Sequence, residues 1–96
     1  MFIDKYLNNV KLKLLYDVYD SEYINSLDEA NFIRIYEVFR KYKFYFIDDI
    51  ILNYLEIFML DSWLVENKIL ELIDKLGNKY MYIIGSDIRY LESVLE

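Results

Sequence analysis

With 96 residues the chain has room for one hydrophobic core, and its 0 His, 0 Cys and 0 Pro exclude imidazole acid–base chemistry, thiol nucleophiles, disulfides, Cys/His zinc sites and proline-rich ligand segments together. The apolar share of 56% is inflated by 11 Tyr, a side chain that suits half-buried positions and binding surfaces as readily as cores. The net charge of −6 falls entirely in the second half, since residues 1–47 hold 7 acidic and 7 basic groups while residues 48–96 hold 10 and 4, a balance that favours basic partners and repels nucleic acid at long range.

The start, Met1-Phe2-Ile3-Asp4-Lys5, lacks a basic region followed by an apolar run, and the apolar stretch Phe44 to Leu60 is interrupted by Asp48, Asp49, Asn53 and Glu56. Neither export nor membrane spanning is supported, so a soluble cytoplasmic protein is expected. Without Pro, and with both glycines late (Gly77 and Gly85), little interrupts helices, and an all-α chain of about five short helices is predicted. Ile3, Leu7, Val10, Leu14 and Val18 recur at spacings of four, three, four and four and line one face of a first helix ending near Asp20-Ser21.

Ser26-Leu27-Asp28-Glu29 reads as a capping box that starts a second helix, with Phe32, Ile35, Tyr36, Phe39 and Tyr42 as its apolar stripe and Glu37 to Lys41 as an i,i+4 ion pair. A third helical segment covers about Ile47 to Phe58, although Phe44-Tyr45-Phe46-Ile47 also suits a strand by propensity. Asp61 or Ser62 caps a fourth helix carrying Val65, Ile69, Leu72 and Leu76, and Gly77 with Asn78 supplies a left-handed stop. Tyr80 to Ile84 forms a short helical turn or strand, Gly85-Ser86 a break, and Ser86 caps a last helix with Ile88, Leu91 and Leu95.

The stretch from Arg34 to Tyr42 aligns with that from Lys68 to Leu76 at an offset of 34. At 33, Ile50-Ile51 falls on Ile83-Ile84, Leu55 on Ile88, Ile57 on Tyr90 and Phe58 on Leu91. Shared helical period alone also produces such matches, so duplication and a compact bundle without internal repeat both stay open. The duplicated reading divides the chain into a capping helix (1–25) and two units (26–60 and 61–96).

At Ile50 to Phe58, Val65 to Gly77 and Ile83 to Leu91 the chain resembles the helical repeat of mitochondrial transcription termination factors (mTERF-like), including short bacterial relatives. Leu55 and Ile88 stand where that family commonly has Pro. The resemblance implies paired helices stacked into a curved superhelix with a nucleic-acid-binding concave face.

Two surfaces are candidates for binding. Asp61, Trp63, Glu66, Glu71 and Asp74, with Met59 beside them, combine acidic groups with the single Trp and suit a basic protein partner. Arg34, Arg40, Lys41 and Lys43, interleaved with Tyr42 and Tyr45, form the alternative, a basic aromatic strip for phosphates and bases that the net charge disfavours. Ser21, Ser26, Ser62, Ser86 and Ser93 have no His partner, no glycine-rich loop is present, and Asp17, Asp20 and Glu22 lack the turn glycine of a calcium loop. The reading that results is a non-enzymatic regulatory or adaptor protein, without cofactor or metal, that binds another protein through an acidic, tyrosine-rich helical surface. Size and composition suit a small phage or mobile-element inhibitor of a basic protein. Self-association stays open.

Overall fold

The computed structural model describes residues 2–96. Among them lie six α-helices, α1 (Asn9–Val18), α2 (Ser21–Asn25), α3 (Glu29–Lys41), α4 (Ile47–Asn53), α5 (Ser62–Leu76) and α6 (Tyr80–Ser86), with four 3-10 helices and no strand. The Phe44-Tyr45-Phe46 segment, open to a strand reading, is a connection leading into α4. None of the helices is long and apolar enough to cross a membrane.

The expected first helix is broken. Phe2–Lys5 is a 3-10 turn that buries Ile3, the chain turns at Tyr6 and Leu7, and Asn8, with extended backbone, starts α1 by accepting from the Lys11 amide at 2.8 Å. This break rotates the helix relative to a continuous one. Leu15 is buried, Leu12 and Tyr19 are half-buried, and the predicted stripe of Val10, Leu14 and Val18 points outward. Both rows have helical spacing, so periodicity alone does not choose between them.

Ser26 does not cap α3. It closes the short α2, which the sequence reading lacked, and its hydroxyl donates to the Tyr23 carbonyl, while Asp28 takes the cap by accepting from the Ala30 amide at 3.1 Å. A carboxylate adjoining the first turn also meets the positive end of the helix dipole. The predicted stripe of α3 faces the core: Phe32, Ile35 and Phe39 are buried, Tyr36 and Tyr42 half so, and Val38 joins them. The expected Glu37–Lys41 pair does not form, because Glu37 meets Arg40 and Lys41 reaches across to Glu66 of α5.

At its end α3 forms a Schellman motif. The Phe44 amide donates to the Phe39 carbonyl and the Lys43 amide to that of Arg40, while the Phe39 and Phe44 rings meet edge-on at 5.1 Å. Its left-handed position is held by Lys43 at φ +67°, whereas α5 ends on Gly77 at φ +78°, ψ −163°, a conformation essentially confined to glycine. Opposite shifts follow in urea denaturation. Gly77→Ala should lose roughly 1–3 kcal/mol, and Lys43→Gly should gain up to about 1 kcal/mol.

Asp61 stands at the N-cap of α5, and Val65, Ile69 and Leu72 are buried as expected, with Leu76 half so. Gly85 lies inside α6 rather than in a break. The chain changes direction at Asp87, which replaces Ser86 as the cap by accepting from the Arg89 amide, and the last segment, Ile88–Leu95, is a 3-10 helix burying Leu91 and Val94. The expected third segment is likewise divided, into α4 and a 3-10 helix at Leu55–Met59.

From residue 29 onward a long α-helix, a short α-helix and a 3-10 helix follow one another twice, the second time with a further 3-10 turn, Gly77–Lys79, between the long and the short helix. Tyr54 (φ −139°, ψ 52°) and Asp87 (φ −149°, ψ 96°), the residues that separate the short helix from the 3-10 helix, are 33 positions apart. One continuous core joins both halves. It is wholly apolar among the described residues and centres on Phe58, whose ring stacks on Phe32 at 4.7 Å and lies 5.8 Å from Phe39.

Candidate protein-interaction face

The burial of Val65, Ile69 and Leu72 against α3 and the C-terminal 3-10 helix leaves the opposite side of α5 outward. At 100° per residue that side gathers Trp63, Asn67, Leu70 and Asp74 into one row, with Glu71 beside it. Trp63 is 64% exposed and Leu70 44%, and both acidic side chains are exposed. Among the described residues Asp61, Glu71 and Asp74 form neither ion pairs nor side-chain hydrogen bonds. The row therefore carries Trp63 and Leu70 with Asn67 between them, ends on Asp74 and has Glu71 at its edge, while Asp61 caps the helix ahead of it.

Trp63 is the second residue of α5, so the positions that would staple the helix start are Leu60 and Val65. Its ring has no aromatic neighbour among the described residues. Beside Asp61 a hollow of about 410 Å³ opens, lined by Ser26, Asp28, Asn31, Phe58, Met59 and Asp61. Asn31 frames it from α3, its side-chain amide donating to the carbonyls of Phe58 (3.1 Å) and Leu60 (2.8 Å) and so fixing the turn that delivers Trp63.

Glu66 does not belong to this face. It points to α3, where its carboxylate accepts from the Lys41 ammonium at 2.7 Å and the Tyr42 hydroxyl at 2.6 Å. Those two hydrogen bonds hold its carboxyl below the usual glutamate range, and the same contact raises Tyr42. Tyr80 continues the seam by donating its hydroxyl to the Tyr42 carbonyl at 2.8 Å.

A depressed carboxyl stabilises the fold above its ordinary value of 4.5, and that contribution disappears as pH falls through the folded value. Glu66→Gln should therefore cost on the order of 1 kcal/mol at neutral pH, allowing for partial solvent screening. Urea denaturation below pH 4.5 should show wild type and variant converging.

The basic strip is divided by these contacts. Lys41 and Tyr42 are engaged with Glu66, and Arg40 with Glu37 at 3.3 Å, whereas Arg34 and Lys43 are exposed and make no ion pair among the described residues. Tyr45 is 76% exposed, with its hydroxyl lying over Gly85 where a Cβ would come within 2.7 Å. With Arg40, Tyr6 and Tyr36 it lines a separate groove of about 350 Å³.

No family model, curated protein or solved structure matches this chain. The geometry of the two surfaces is thus the basis for a functional reading. Asn67 and Leu70 were missed as members of the α5 row, although their offsets of four and seven from Trp63 place them on it. That Glu66 turns inward was not accessible from α5 alone, because its partners come from the end of α3.

Proposed function

We propose that this chain is a non-enzymatic regulatory or adaptor protein that docks a basic protein through the outer face of α5. The observation that carries the reading is the coincidence on one helix of an exposed Trp63, an exposed Leu70 and the carboxylates of Glu71 and Asp74, with Asp61 at its N-cap, none of the three carboxylates having a partner among the described residues. An aromatic anchor surrounded by like charge suits a partner groove with a basic rim. The hollow beside Asp61, with Asp28 and Asp61 at its edge, offers a place for one of the partner's cationic side chains. The non-enzymatic part rests on the missing His and Cys, and an inhibitor of a basic host protein is the role that size and charge suit best.

Affinity capture with the intact chain tests it. A specific basic protein should be retained by wild type and lost when Asp61, Glu71 and Asp74 are all replaced by Lys, with the helical circular dichroism unchanged. Retention of that same protein by the triple variant would refute the acidic-face reading.

A second reading is an mTERF-like helical repeat that binds nucleic acid. It is supported by the twofold recurrence of the helix order from residue 29 and by the exposed Arg34, Arg40, Lys43 and Tyr45. Its signature is a salt-dependent complex with DNA or RNA, whose log-log slope falls by roughly one unit for each of Arg34 and Arg40 replaced by Ala.

A further inference from the structure

The outer side of α1 is a second unpartnered surface. Val10, Leu14 and Val18, spaced by four, are 72%, 47% and 67% exposed, while Leu12, Leu15 and Tyr19 occupy the inner side, where α1 packs on α4. A helix apolar on two opposite sides has the pattern of one covered on both. Beside the outer ridge stand one cation and one anion, Lys13 and Asp17, both exposed and neither forming an ion pair or a side-chain hydrogen bond among the described residues.

We propose that α1 is a self-association surface whose occupant is α1 of a second copy, packed antiparallel about a two-fold axis at Leu14. That symmetry sets Leu14 on its equivalent and Val10 on Val18 of the second copy. At 1.5 Å rise per residue, Asp17 lies about 4.5 Å beyond Leu14, and Lys13 of the second copy about 1.5 Å beyond it in the same direction. On the shared flank the two are therefore only about 3 Å apart along the axis, and the symmetry makes this pairing twice. Lys11, on the other flank, is already bound to Asp48 and Asp49 and leaves the pairing to Lys13. A helix about 15 Å long covers far less than the roughly 800 Å² per partner of a standard interface, so the dimer belongs to the weak, concentration-dependent class.

Sedimentation equilibrium of the intact chain, from about 10 µM to about 1 mM, is the test. The mean mass should rise from 11.8 kDa towards twice that value and stop there. Leu14→Lys should hold the protein monomeric with unchanged circular dichroism, since the position is exposed, and Trp63→Ala should leave dimerisation intact. Lys13→Glu or Asp17→Lys alone should weaken the dimer about tenfold, two ion pairs being lost to like charges, and the combined exchange should restore it. A monomeric mass throughout, growth beyond the dimer, insensitivity to Leu14→Lys, or failure of the double exchange to restore association would each overturn the proposal.

Discussion

Replacing Phe58 by Ala should cost the fold about 3–5 kcal/mol and lower the melting temperature by roughly 20 °C. The ring is fully buried at the point where the 3-10 helix after α4 meets α3, stacked on Phe32 and tilted against Phe39. Truncation removes both aromatic contacts and leaves a cavity in a wall built from helices that cannot readily collapse. A domain of this size has total stability of only about 5–15 kcal/mol, so much of the margin is lost. Met59→Ala, one residue further on at a 38% exposed position, should change stability by no more than about 0.5 kcal/mol. Thermal and urea denaturation of the pair isolate burial from sequence position.

Trp63→Ala should weaken the proposed protein complex by at least about 2 kcal/mol, roughly thirtyfold, while altering stability by less than about 0.5 kcal/mol. The asymmetry follows from exposure: the indole contributes little to the core but supplies the largest apolar surface on the outer row of α5. Glu71→Gln and Asp74→Gln should act mainly on the association rate and its salt dependence, as charges at the rim of an interface do. Titration calorimetry with the captured partner would measure the first effect, and stopped-flow mixing at two salt concentrations the second. An unchanged affinity for Trp63→Ala would remove the α5 row from the interface.

The elements differ in how far they could be read from sequence, and the reasons are physical. For α5, the row of Val65, Ile69, Leu72 and Leu76 has Asp61 before it and Gly77 after, so pattern, cap and stop agree. In α1 two apolar rows compete, and the choice depends on the turn at Tyr6 to Asn8 and on Tyr19 finding partners in the segment after α4. Ser26 and Asp28 are both competent caps, and α2 decides between them by consuming Ser26 at its own end. Among the candidate site residues, Trp63 and Asp74 share the outward side of α5, with Glu71 at its edge, because helical period places them there, whereas Asp61 precedes the helix as its N-cap. Glu66, Lys41 and Tyr42 are joined by the packing of α3 on α5, a non-local event that leaves no mark in either helix.

The Tyr19 hydroxyl donates to the Glu56 carboxylate and accepts the Leu55 amide, both at 3.2 Å, so a main-chain N–H in the middle of the molecule is protected by a phenol from the N-terminal segment. Apart from the Lys11 clip, α1 is held chiefly by its packing on α4. Sub-global opening of α1 would expose the Leu55 amide to deuterium while α3 and α5 remain closed. That amide is a built-in reporter of docking, exchanging in step with the amides of α1, and Tyr19→Phe should uncouple the two.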